Sequence, residues 1–327
     1  MGEPLDEFSL IERYFAPLSA GMIGALRLKD DAATFPVEPG LEVVITTDAI
    51  FENIHFLSSD PPETIARKAL RVNLSDLAAK GADPVGYLLT LALPRTVPET
   101  WLEAFARGLG EDQAAFGVHL AGGDTVTTAG PLLLSVTAFG TVPRGTAVRR
   151  VGAQPGDRLF VTGTIGDGLL GLRALKGTLD EIASEQRDEV VARYRLPRPR
   201  VAFGPALRGV ASAALDVSDG LVADIAQLVK ASGVGAVLGL NRIPLSPAAQ
   251  AFAGIDPERL IELATAGDDY EILFSIAPDK TGPLIATAQA LGVPVSEIGA
   301  VVPGEGMKVV NLDGHEVTVA RPGFRHF

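Results

Sequence analysis

Six short segments of this sequence set one or two aspartates among small or hydroxyl residues. They are Lys29-Asp30-Asp31-Ala32-Ala33, Thr46-Thr47-Asp48, Asn73-Leu74-Ser75-Asp76, Gly122-Gly123-Asp124-Thr125, Asp216-Val217-Ser218-Asp219-Gly220 and Gly267-Asp268-Asp269-Tyr270-Glu271. Carboxylate and hydroxyl oxygens are hard ligands, suited to Mg²⁺ rather than to zinc or copper. Small neighbours let a backbone come close to a ligand. Carboxylates gathered in one place repel each other, which raises their pKa values or calls in cations. Mg²⁺ meets that demand with a few carboxylates and completes its shell with substrate phosphates. The chemistry on offer is therefore a metal-bridged polyphosphate site. Each loop taken alone also reads as an ordinary helix cap or turn.

Elements must position these loops. Most of the loops follow apolar strands or start helices, where α/β proteins bind ligands. The pattern predicts a helix over 9–18 capped by Ser9, a strand over 41–47 ending at Asp48, and a helix over 62–80. A strand over 85–93, a helix over 101–116, a short strand over 118–121 ending at Gly122-Gly123-Asp124 and a strand over 131–142 follow. Arg149-Arg150 and the turn Ala153-Gln154-Pro155-Gly156-Asp157 mark a boundary. Beyond it, strands are expected over 158–162, 213–217, 271–276, 295–302 and 307–311, with helices over 169–176, 201–210, 221–232 and 280–291. The expected fold class is α/β (α+β), with two mixed α/β domains over 1–149 and 150–327 and helices covering one face of each sheet.

Composition narrows the function. Of 327 residues, 28 are Lys or Arg and 40 are Asp or Glu, a net charge of −12. Such a surface repels a nucleic-acid backbone, so no nucleic-acid partner is expected. The absence of cysteine removes disulfides, thiolate catalysis and zinc–thiolate sites. The acidic N-terminus lacks a signal-peptide shape, and no apolar run reaches the ~18 residues of a membrane span, so no membrane partner and a cytoplasmic location are expected. Asn73-Leu74-Ser75 fits a glycosylation sequon, a reading that lapses without secretion.

Two motif readings fail on context. Gly166-Asp167-Gly168-Leu169-Leu170-Gly171 matches G-x-G-x-x-G after a strand. The next strand, near Ala213, lies too far on for a dinucleotide βαβ unit of ~30 residues. A tight strand-to-helix turn is the expectation. No phosphate-binding G-x-x-x-x-G-K-[ST] loop and no metal-binding histidine pair occurs, and of the four histidines only His55 sits beside an acidic loop.

The ordered set of motifs resembles the thiamine-monophosphate kinases, of the aminoimidazole-ribonucleotide-synthetase-like superfamily. It consists of Thr46-Thr47-Asp48, then Asn53-Ile54-His55-Phe56, Asn73 through Ala82, Gly122 through Thr125, Asp216 through Leu221, and Asp268 through Glu271, ending in Gly323-Phe324-Arg325-His326-Phe327. The resemblance implies an ATP- and Mg²⁺-dependent phosphorylation of thiamine monophosphate to thiamine diphosphate. It also implies a homodimer paired through the N-terminal sheets, with the C-terminal domain completing the active site. Carried over by position, Asp31, Thr46, Thr47, Asp48, Asp76, Asp124 and Asp216 would hold a cluster of Mg²⁺ ions, and Asp219 a further ion. Asp48 and Asp76 would be the carboxylates on which turnover most depends. Gly123, Asp124, Arg150 and Ser218 would contact ATP; His55, Asp268 and Phe324 would contact thiamine monophosphate. The chain departs from the family pattern at Lys29 (usually Gly), Gly168 (commonly Ser), Asp268 (usually Glu) and Phe324 (commonly Tyr or Trp).

The acceptor phosphate is substantially dianionic near neutral pH, since its second pKa is about 6. It needs no general base, so direct in-line transfer without a phosphoenzyme is expected. Two alternatives stand beside this: another ATP-dependent member of the superfamily with a different acceptor, and a non-catalytic nucleotide- and metal-binding dimer.

Overall fold

Apolar residues at helical spacing on 62–79 and at every second position on 133–143 set the first half of the chain. In the computed structural model, which describes residues 7–179, 182–311 and 313–324, the chain divides into two compact units. The first comprises Met1–Leu77 with Ala82–Gly145, and the second Ala78–Gly81 with Thr146–Phe327. Arg325-His326-Phe327 of the closing motif and the first six residues lie outside the described residues.

The first unit opens with α1 (Glu7–Leu10), which runs on through a π-turn at Ile11–Phe15 and a 3₁₀ turn at Ala16–Ser19. Ser9 thus lies inside the helical path rather than capping it. Next come β1 (Leu41–Phe51), α2 (Pro62–Ala79), β2 (Asp83–Pro94), α3 (Glu99–Phe116), β3 (His119–Thr128) and β4 (Leu133–Pro143). The sheet order is β1-β4-β2-β3, with β3 parallel to β2 and the other pairs antiparallel. Burial alternates along β4: Leu134, Val136, Ala138 and Val142 are buried on the face that also holds Leu89 and Leu91 of β2. Leu70, Leu74 and Leu77 of α2 and Phe105 and Leu109 of α3 complete that core. The opposite face is open, and Val43, Ile45 and Leu88 are exposed on it.

Two strand ends differ from expectation. β1 does not stop at Asp48, because β4 keeps pairing with it: Asp48 lies opposite Val136 and Phe51 opposite Leu133. Likewise β3 does not stop at Gly122-Gly123-Asp124, because β2 pairs alongside those residues as far as Thr128. Both acidic segments are therefore strand, not loop.

The second unit contains β5 (Arg158–Thr162), α4 (Asp167–Leu175), α5 (Ser184–Arg195), β6 (Ala211–Asp216), α6 (Leu221–Ser232), β7 (Gly235–Gly239), α7 (Pro247–Ala253), α8 (Pro257–Thr265), β8 (Ile272–Ile276), α9 (Thr281–Ala290), β9 (Val295–Val302), β10 (Gly306–Val310) and β11 (Glu316–Val317). They form a seven-stranded mixed sheet in the order β11-β10-β7-β9-β5-β8-β6. The expected helix over 201–210 reduces to turns and a 3₁₀ turn at Gly204–Leu207. Pro205, which has no N–H to give, sits in its middle. Gly204 is packed so closely that a Cβ would lie 2.4 Å from the Ala78 carbonyl oxygen. No helix among the described residues is long and apolar enough to cross a membrane.

Candidate active site

Strand alternation sorts the acidic strand of the first unit. Thr46 and Asp48 face α2; Thr47 faces the open side. The Thr46 hydroxyl donates to Asp76 Oδ2 at 2.5 Å, and the Asp48 N–H donates to Asn73 Oδ1 at 3.0 Å. Asn73 and Asp76 stand three apart on α2, hence on one helix face. Asn73 is fully buried and also donates from Nδ2 to the Ala69 carbonyl oxygen. On the open side Thr47 Oγ1 donates to the Val136 carbonyl oxygen and receives the Thr137 hydroxyl at 3.0 Å.

That open side carries a cavity of 1170 Å³. Asp30, Asp31, Gly123 and Asp124 line it, with Thr137 and Phe139 on its floor. Lys29 lines it too, so a cation stands among the cavity's carboxylates. The approach to Lys29 is strained: Leu26, Arg27 and Leu28 all have φ between 49° and 58°, a left-handed run. Gly123 admits no side chain, since a Cβ there would lie 1.8 Å from the Leu89 carbonyl oxygen. His55 follows β1 in a tight turn, where its Nδ1 accepts the Phe51 N–H at 3.0 Å.

In the second unit the two acidic loops are tied together. The Asp268 N–H donates to the Ser218 carbonyl oxygen, the Tyr270 N–H to Val217, and the Val217 N–H to Glu271. Asp216 is buried at the end of β6. The Phe324 N–H donates to the Asp219 carbonyl oxygen at 2.9 Å, which brings the C-terminal aromatic to the same place. Asp268 has φ +70°, and its Oδ1 accepts the Tyr270 hydroxyl. Ser218, Asp219, Asp268 and Phe324 therefore meet. Arg150, exposed, lies near enough to lower the pKa of Asp224. Burial first, then the neighbouring Asp219, push the Asp224 carboxyl up to about 7. Asp224 Oδ2 accepts the Ser218 and Asp219 N–H groups at 3.1 and 3.2 Å, which fixes the loop.

The Gly166 turn packs closely on the Asp268-Asp269 loop. Asp269 accepts the Gly166 N–H with both oxygens, at 2.9 and 3.0 Å. A Cβ on Gly168 would lie 2.6 Å from the Asp268 carbonyl oxygen, so no side chain fits here without movement. Below this turn Glu271, fully buried, meets the guanidinium groups of Arg193 and Arg200 at 2.9 and 2.6 Å. Burial raises the Asp269 carboxyl well above the usual range, with Asp167 and Glu271 adding to it and the Gly166 N–H and Arg193 opposing.

Within each unit, and among the described residues, no three carboxylate or imidazole side chains converge on one metal-sized point. The donors present are all hard oxygens, spread along β1, α2 and the cavity rim. That set fits Mg²⁺, which takes one or two carboxylates at a time and draws its other ligands from phosphates and water.

Residues 29–142 match the N-terminal domain of AIR synthase related proteins, and residues 154–311 match the C-terminal domain. Thiamine-monophosphate kinase of Caulobacter vibrioides is 48% identical over 326 residues, covering 99% of this chain and 91% of that protein. The chain belongs to the thiamine-monophosphate kinase family. The crystal structure of the family member from Stenotrophomonas maltophilia superimposes with a TM-score of 0.83 at 36% identity, over 93% of this chain and 98% of that one. The structure of AaThiL complexed with AMPPCP and TMP superimposes with a TM-score of 0.78 at 30% identity, over the whole of both chains. In this thiamine-monophosphate kinase family chain, sequence reasoning passed over Lys68, Asn73, Asp224, Asp269 and Glu271. Asn73, Asp269 and Glu271 stood inside motifs already singled out. Lys68 and Asp224 occupy helical positions whose burial, at 1% and 4% exposure, no spacing signalled.

Proposed function

We propose that this chain transfers the γ-phosphoryl group of ATP directly to the phosphate of thiamine monophosphate, giving thiamine diphosphate and ADP. The observation that carries this reading is the full-length match to a family member solved with an ATP analogue and TMP. Asp31, Gly123 and Asp124 rim the cavity of the first unit that would take the nucleotide; by the family resemblance Arg150 and Ser218 would be further ATP contacts. His55, Asp268 and Phe324 would bind the acceptor, the aromatic ring stacking on the cationic thiazolium. Asp31, Thr46, Thr47, Asp48, Asp76, Asp124, Asp216 and Asp219 would hold several Mg²⁺ ions. When bound, these ions neutralise and align two anionic phosphates. No side chain needs to act as a base, because the acceptor oxygen is already anionic near neutral pH. The protein's part is to orient: Asn73 holds the backbone at Asp48, Thr46 holds Asp76, and Asp224 holds the Ser218–Asp219 turn.

The first unit, taken with the linker to Arg149, would carry nucleotide binding and dimerisation. The second would complete the active site. A second copy would meet the open sheet face beside the cavity, which Val43, Ile45 and Leu88 also line. The cytoplasm, where ATP is abundant, is the setting for such a reaction.

The test is incubation with ATP, Mg²⁺ and thiamine monophosphate, with chromatographic detection of thiamine diphosphate and of ADP in equal amount. ADP release that needs a different acceptor, or tight nucleotide binding with no product, overturns the reading.

A further inference from the structure

Lys68 lies midway along α2 and is 1% exposed. An ammonium group is costly to take out of water, so a buried lysine marks a place where its hydrogen bonds matter. Its Nζ donates to the His55 carbonyl oxygen at 2.8 Å. The turn that it grips also carries bonds of its own. The His55 N–H donates to the Phe51 carbonyl oxygen, and the Asn53 N–H to the Phe56 carbonyl oxygen, with Asn53 at φ +62°. The Leu57 N–H donates to Oδ2 of the buried Asp60 at 2.9 Å, and Phe56 is buried beneath the turn.

This framework also sets the chemistry of the ring. A backbone N–H can donate only to an unprotonated ring nitrogen. The Phe51 N–H at His55 Nδ1 therefore places the imidazole proton on Nε2, leaving that edge of the ring as a hydrogen-bond donor. A donor held in fixed orientation suits a phosphate oxygen.

We propose that Lys68 is a positioning residue for the acceptor phosphate: its ammonium group, bonded to the His55 carbonyl, fixes the turn so that His55 Nε2–H meets an oxygen of thiamine monophosphate. The assignment rests on the function proposed above. Lys68 touches no substrate and acts through His55. Its role is therefore distinct from that of Asn73 and Asp76, further along α2, which serve β1.

Steady-state kinetics on the full-length wild type, Lys68→Met, His55→Ala and the double variant test it. Lys68→Met should raise KM for thiamine monophosphate roughly tenfold, as small misplacement of a positioned group does, and leave KM for ATP unchanged. The double variant should be no worse than His55→Ala alone. Losses that multiply, equal rises in both KM values, or an unaffected Lys68→Met overturn the assignment while leaving the function intact. Should Lys68→Met fail to fold, Lys68→Arg keeps a buried cation but moves its donor. The ¹⁵N signals of the His55 ring should then lose the pattern of a single Nε2–H tautomer, together with a raised KM for thiamine monophosphate. An unchanged ring signal beside a raised KM overturns the proposal. A wild type that forms no thiamine diphosphate defeats the underlying function, and this assignment with it.

Discussion

The Thr46 hydroxyl donates to Asp76 Oδ2 at 2.5 Å, so a strand residue fixes the rotamer of a helix carboxylate. If Asp76 holds Mg²⁺, its orientation is set before any ion arrives. Thr46→Val should then raise the Mg²⁺ concentration for half-maximal activity about 10–100-fold, the usual cost of losing a partner that orients a ligand. Asp76→Ala should abolish turnover while leaving the unfolding midpoint near that of the wild type. Mg²⁺ titration of initial rates and a urea melt check the pair.

Gly123→Ala is expected to damage fold and site together. The new methyl group would sit 1.8 Å from the Leu89 carbonyl oxygen, inside the β2–β3 pairing. Overpacking of this kind costs about 1–3 kcal/mol. A lowered melting temperature with weakened nucleotide binding by calorimetry is the outcome to look for; unaltered values would mean that β3 shifts to make room.

How much of this was legible in the sequence depends on the range of the contact. α6 and β9 were readable to the residue, because an apolar face or run bounded by Gly and Pro is a local signal. The ends of β1 and β3 were not, because each strand continues only while a neighbour distant in sequence keeps pairing with it. α7 and α8 were overlooked although Ser246-Pro247 and Asp256-Pro257 are ordinary cap-plus-proline starts; both caps accept N–H bonds in the structure. The acidic segments announced themselves by composition, whereas the buried groups that brace the turns beside them did not. Lys68 and Asp224 look like solvent-facing helical charges until the fold buries them.

The buried charges of the second unit predict a steep response to Glu271→Gln. Two guanidinium groups, Arg193 and Arg200, would lose their shared counter-charge. Arg193 already has Nη1 buried without a hydrogen-bond partner. Breaking one side of such a cluster costs about 3–5 kcal/mol, to be read from urea unfolding.

Asp269 should leave a mark on stability as pH changes. Its folded-state pKa is raised by burial, so the folded chain keeps a proton that the unfolded chain releases near its ordinary value of about 4. The folded state then binds more protons above that pH, and stability falls as pH rises through this window. Asp269→Asn should flatten that slope. Urea midpoints from pH 5 to pH 8 in the presence of a chelator measure it, and parallel curves for the two proteins would refute it.

Ile45, 66% exposed on the open sheet face, should be a contact of the proposed dimer. Ile45→Glu is expected to shift sedimentation from two copies to one without lowering the melting temperature of the monomer. Sedimentation unchanged by the substitution would place the partner elsewhere.

Asn73 has one more consequence, for how the protein can be made. Its amide is sealed between α2 and β1, with one end on the Asp48 N–H and the other on the Ala69 carbonyl oxygen. A host that sends the nascent chain through a compartment where Asn-Leu-Ser receives sugar would attach an oligosaccharide before the helix closes. No room exists for it afterwards, so a eukaryotic export route would yield chains that cannot complete this fold.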